Sequence, residues 1–164
     1  ALVLIGLVVF FSHIVMFLLN QQEIPAAFAF WLPRAFMLGT IFAAIAYARG
    51  GSLLPRSTAE RPVYSIWLAY LLTLAVMNLL AVARGDPPEK IFVVASALSG
   101  FGFLAMSGHI WGGSALFGLG FLVTAMLANY LPEYSPLMLG GMWLISMCSI
   151  AYHYHSKNRE LKSQ

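Results

Sequence analysis

The stretch LVLIGLVVFFSHIVMFLL, residues 2–19, decides the fold. It carries no formal charge, and its only polar side chains are those of Ser12 and His13. A helix needs roughly 20 mainly apolar residues to cross about 30 Å of hydrocarbon, and this stretch reads as such a helix. Further apolar stretches follow, so the chain reads as all-α: a polytopic membrane helix bundle with six transmembrane helices near 2–19, 33–48, 63–83, 91–108, 114–131 and 137–154. Its 164 residues are 60% apolar and 9% charged, against about 25% charged in an ordinary soluble domain. One transmembrane domain over 1–154 and a cytoplasmic tail over 155–164 follow from that reading.

Charge placement orients the bundle. With six spans, the N-terminus, the loop 49–62, the link 109–113 and the tail share one side, which holds Arg49, Arg56, Arg61, Lys157, Arg159 and Lys162. The other side holds Arg34, Arg84 and Lys90, with Asp86 and Glu89 beside the last two. Positive residues collect on cytoplasmic flanks, which predicts an N-in, C-in protein of a bacterial inner membrane. The net charge of +3 suits basic flanks near anionic headgroups. No basic stripe with interleaved aromatics points to nucleic acid. The chain opens on Ala1 with neither Met nor a flanking charge, so cytoplasmic residues are expected upstream of it.

The start of the second span has two readings. Trp31 beside Pro33 and Arg34 suggests a helix beginning at the interface, with Arg34 snorkelling to headgroup level. The alternative is a longer helix beginning near Ala26, with Arg34 buried and functional, at a cost of at least ~2.5 kcal/mol for a charge in mid-membrane. Gly50 and Gly51 are placed to end this span and Pro62 to open the third. Tyr64, Trp67 and Tyr70 suggest an aromatic belt near the start of the third span.

Small residues gather in the last three spans. Ser96 and Gly100 stand four apart, as do Ser114 and Gly118, and Gly140 and Gly141 are adjacent. Four-residue spacing puts small side chains in one row and lets helix backbones approach closely. Helix packing is the expected role of these six residues, with a glycine-lined ligand path as the sharper alternative. Short connections at 109–113 and 132–136 join spans 4–6 into a compact unit, leaving spans 1–3 as anchoring helices.

Chemistry-bearing residues are few. His13, His109, His153 and His155 are weak candidates for holding a haem or pigment, because membrane cytochromes set two histidines on facing helices at one depth. His13 lies deep in its span, and the other three lie toward the cytoplasmic face. His153 and His155, two apart, point about 200° from each other on a helix, which argues against a metal site. Cys148 is the only cysteine, so neither a disulfide within the chain nor a thiolate metal pattern is available. Glu133 is placed to cap the last span or to pair with Arg84 or Lys90. The middles of the spans hold no Asp or Glu, which counts against ion-coupled transport. Thr40, Thr73, Asn78 and Asn129 are the thin evidence for a polar solute path. No nucleophile–base pair can be assembled, so no catalytic residues are assigned.

The segment SGFGFLAMSGHIWGG (99–113), then Gly118 to Phe121, Ala128 to Leu131, and PEYSPLMLGGMW (132–143) resemble the C-terminal membrane region of multi-domain bacterial serine/threonine kinases, notably planctomycete-like ones. The loop AERPVYSIW (59–67) fits the same resemblance, which covers about residues 55–155 and consists of packing and interface residues. The chain has no Gly-rich loop, no V-A-I-K lysine, no H-R-D and no D-F-G, so kinase activity does not carry over. The resemblance implies a membrane module that anchors, senses or assembles, with an upstream cytoplasmic domain or other membrane subunits as partners. A haem- or pigment-bearing subunit of an electron-transfer complex and a small-solute transporter are the competing expectations.

Overall fold

A computed structural model describes residues 2–22, 25, 27–51, 54–55, 57–58 and 60–162. Six helices run in order: α1 (Leu2–Gln21), α2 (Leu32–Ala48), α3 (Glu60–Arg84), α4 (Lys90–Met106), α5 (Ser114–Tyr130) and α6 (Ser135–Lys162). A π-helical turn, Ala27–Trp31, leads into α2, and a 3-10 turn, Pro132–Tyr134, leads into α6. No strand occurs among the described residues. The protein is all-α. Four segments are long and apolar enough to cross a membrane: Leu2–Gln21, Phe28–Ala48, Glu60–Arg84 and Pro132–Lys157. α4 and α5, at 17 residues each, are about 25 Å long at 1.5 Å per residue, the short end of what spans.

Two boundaries differ from the sequence reading. The second helical segment starts at Ala27 rather than near 33, so Pro33 lies inside continuous helix. A proline ring there clashes with the carbonyl four residues back. The wider π turn immediately before it relieves that conflict. At the other end of the chain, the last helix, read from the sequence as a span ending near 154, runs on to Lys162.

Helix ends follow their glycines. Gly50 and Gly51 take φ of 60° and 87°. Gly51 N–H donates to Ala46 O at 2.8 Å and Gly50 N–H to Tyr47 O at 3.2 Å, the paired bonds of a left-handed helix terminus. Gly85, at φ 69°, ends α3 the same way, with Asp86 N–H on Ala81 O at 2.9 Å. In the turn that follows, Arg84 and Lys90 both reach Asp86, at 2.9 and 3.6 Å. The Arg84 hydrogen bond holds the Asp86 carboxyl below its usual range. Asp86, not Glu133, is thus the partner of both cations; Glu133 is exposed in its 3-10 turn.

Packing divides the helices differently from their chain order. α1 lies along α6, and α4 lies along α5. α5 also meets α6, α3 packs on α4, and α2 rests on α1 and the π turn. The first helix therefore belongs with the last, and spans 4–6 do not form a unit apart from it. Phe103, fully buried, stacks on Phe121 at 5.2 Å and meets Trp67 and Trp143 edge-on, both at 5.6 Å. Trp67 is thus part of this aromatic centre, where it also meets Trp143 at 5.2 Å.

Glycines set the two tight pairs. A Cβ added at Gly100 would fall 2.9 Å from Gly118 O, and one at Gly118 would fall 2.9 Å from Gly100 O. Ser114, fully buried, directs its hydroxyl across to Phe103 O at 3.5 Å. In the other pair, a Cβ at Gly140 would fall 2.8 Å from His13 Cβ, and one at Gly6 would fall 2.9 Å from Met147 Cβ. Gly141 faces open space, with nothing within 4 Å.

Overpacking a close contact costs about 1–3 kcal/mol. Gly100→Val, Gly118→Val and Gly6→Val are therefore expected to lower the thermal midpoint of the detergent-solubilised protein. Gly141→Val is expected to leave it near the wild-type value.

Candidate functional site

α2 and α3 stand at the two ends of the chain of helix contacts, and a single polar bridge joins them within the spanning segments. Arg34 Nη1 donates to Asn78 Oδ1 at 3.0 Å. Arg34 lies six residues into the span that begins at Phe28, and Asn78 six residues before Arg84 at the end of α3. Both therefore sit about 9 Å along their helices from the same end of the bundle. Antiparallel helices meet there at matched depth. Of the two readings of the second span, the longer helix with an inward Arg34 is the one observed.

The site is built from four elements. The guanidinium carbon lies 5.0 Å from the ring centroid of Phe92 on α4 and 5.8 Å from that of Phe30 in the π turn. These rings are themselves 5.8 Å apart, and both are buried. Cation–π contact with desolvated rings contributes on the order of 2 kcal/mol. Asn78 is fixed in turn, its Nδ2 donating to Leu74 O at 2.7 Å. Because that nitrogen is engaged, the amide oxygen is the atom turned toward Arg34. Tyr70, one helix face with Asn78, faces Ser99 of α4 and the Arg34 charge.

His13 borders this cluster from α1. Its ring meets Phe92 edge-on at 5.8 Å, and Nδ1 donates to Val9 O at 2.7 Å. A carbonyl only accepts, so Nδ1 carries hydrogen. His13 is buried beneath Gly140. His153 follows Gly140 on α6 by 13 residues, about 20 Å along the axis. His13 is thus far from the other three histidines. His153 stacks on Trp111 at 4.2 Å, while His109 and His155 are exposed. The structure does not bring His13 and a second histidine to one level, as axial haem ligation needs. Among the described residues, no three His, Cys, Asp or Glu side chains gather as a metal site.

Several other hydroxyls of the spans turn back on their own helices. Thr40, Ser99, Thr124 and Ser146 each donate to the carbonyl four residues earlier, at 2.8 to 2.9 Å. Ser96 Oγ, fully buried, is the one buried side-chain polar atom without a partner among the described residues. Asn129 and Glu133 line a shallow groove with Glu89 and Lys90 at the membrane end, and Thr73 is exposed on α3. Among the described residues, Thr40, Thr73 and Asn129 make no hydrogen bond to Arg34 or Asn78. Cys148 borders a second, open groove with Trp111 and His153.

Comparison of the chain with protein-family models, with curated proteins and with solved structures finds no match.

The Arg34–Asn78 bond is expected to matter through the charge it holds. Interhelical hydrogen bonds in membrane proteins contribute about 0.6–1.7 kcal/mol, so Asn78→Leu is expected to destabilise by about that amount. Removing Asn78 alone leaves the Arg34 charge without its acceptor, whereas removing both side chains does not. The double variant Arg34→Met/Asn78→Leu should therefore recover part of the loss, read as a non-additive thermal or denaturant midpoint.

Proposed function

We propose that this chain is a non-catalytic integral membrane module that anchors and positions a larger assembly, with a sensory role carried through the same helices. The supporting observation is how its intramembrane polar groups are used. Hydroxyls at Ser99, Thr124 and Ser146 close onto their own helix backbones, and the small residues at Gly6, Gly100, Gly118 and Gly140 serve helix contact. Such a construction favours rigidity over turnover. The resemblance read in the sequence of residues 55–155 to the membrane region of planctomycete-like serine/threonine kinases implies the same kind of role, a module attached to a signalling domain.

In this reading the protein lies in a bacterial inner membrane, N-in and C-in, with six of its nine basic residues on the cytoplasmic side. Arg49 and Glu60, paired at 2.8 Å, bracket the cytoplasmic loop between α2 and α3. The partners are an upstream cytoplasmic domain or other membrane subunits, and the lipid bilayer.

The test is reconstitution of the purified chain in proteoliposomes, beside its isolation from native membranes in mild detergent after cross-linking. The expected result is a stoichiometric protein partner and neither substrate turnover nor solute flux by the chain alone. Flux or turnover by the isolated chain overturns the reading, as does a Soret or pigment band in its absorption spectrum.

A further inference from the structure

Arg34 lies within a spanning helix and has no carboxylate partner among the described residues. A guanidinium offers five N–H donors, and within the described residues one acceptor, Asn78 Oδ1, meets them. The ion pairs among those residues lie elsewhere, at Arg49–Glu60 and around Asp86. Two aromatic rings lie with their centroids 5.0 and 5.8 Å from the Arg34 guanidinium carbon, and beyond Asn78 no acceptor among the described residues meets its N–H groups. Arg34 is half-buried, so the site is open on one side. The opening lies where α2 and α3 do not pack backbone to backbone. The outward faces of both helices are greasy, with Phe36 71% and Leu79 67% exposed.

Ionisable residues within spanning helices mark functional sites and call for a partner. Three properties define the partner here. It is anionic, because the site has a cation, an amide and ring faces and, among the described residues, no carboxylate. It presents oxygens to the edge of a guanidinium, as a phosphate does in paired hydrogen bonds. It reaches the site from the side, about 9 Å from the helix ends, where headgroups give way to acyl chains. Basic pockets between membrane helices bind anionic headgroups on this principle.

We propose that Arg34, oriented by Asn78 and floored by Phe92 and Phe30, binds the phosphate of an anionic amphiphile that enters from the bilayer between α2 and α3. The acyl chains run along the exposed apolar faces of those helices. This site is independent of whether the module anchors a larger assembly.

The test is native mass spectrometry of the full chain, purified in detergent and titrated separately with phosphatidylglycerol, phosphatidylcholine and inorganic phosphate. Wild type is expected to retain one phosphatidylglycerol that phosphatidylcholine does not replace. Arg34→Gln is expected to weaken that retention about tenfold, equivalent to 1.4 kcal/mol. Arg34→Lys, which keeps the charge without the fork, is expected to fall between the two. Arg61→Gln, in the first turn of α3 at the opposite end, is expected to leave this one lipid in place. Equal retention of both lipids by wild type overturns the proposal without reference to any variant. So does retention unaffected by Arg34→Gln. Inorganic phosphate that binds at Arg34 and displaces the lipid at equal concentration assigns the site to a free anion and overturns the lipid assignment.

Discussion

Backbone contact at glycine is the constraint on which this bundle depends. Gly100 and Gly118 bring α4 and α5 so close that a methyl on either would press on the other's carbonyl. Gly6 and Gly140 do the same for α1 and α6 against Met147 and His13. In lipid no hydrophobic force drives helices together, so close van der Waals packing carries the association. Two tight pairs, joined where α5 meets α6 and filled by Phe103, Phe121 and Trp143, make the frame. α2 and α3 are added to its flanks, one on α1 and one on α4.

That arrangement explains the position of the charge. Helices added to the flanks leave between them a gap in close backbone contact. Arg34 spans it, with Asn78 across from it and aromatic faces beneath. The electrostatic cost of a cation in this setting is met by a neutral amide and ring quadrupoles rather than by a carboxylate. A buried ion pair would neutralise the site and seal it. A cation held by neutral groups keeps its charge available to an anion from outside the protein.

Much of the fold was legible in the sequence, because lipid imposes a strict rule: each spanning backbone must satisfy its own hydrogen bonds. The apolar runs therefore announce helices, and Gly50 and Gly51 announce the end of α2. Pairing was not legible. In helices that are apolar on every side, hydrophobicity does not mark which face meets a neighbour. Gly6 gave no signal, standing alone among aliphatic residues. Gly140 and Gly141 look equivalent in sequence, yet only the first faces α1. The start of α2 was obscured by Pro33, whose helix-breaking tendency is absorbed by the π turn before it. α6 runs on to Lys162 because a helix does not end where its apolar residues do. At the candidate site, Arg34 and Asn78 were each visible as polar residues in or near spans. Their contact joins residues 44 apart in the chain, and Phe92 was indistinguishable from any core aromatic.

The account stands on α2 being tied to α3 by an inward Arg34. The direct measurement is the distance distribution between nitroxide labels at the exposed positions 36 and 79, in a Cys148→Ser background and a lipid bilayer, compared with the same pair carrying Asn78→Leu. A single narrow distribution that broadens or lengthens when Asn78 is lost is the predicted result. A distribution that is already broad with Asn78 in place, or that is unchanged by its loss, contradicts the account.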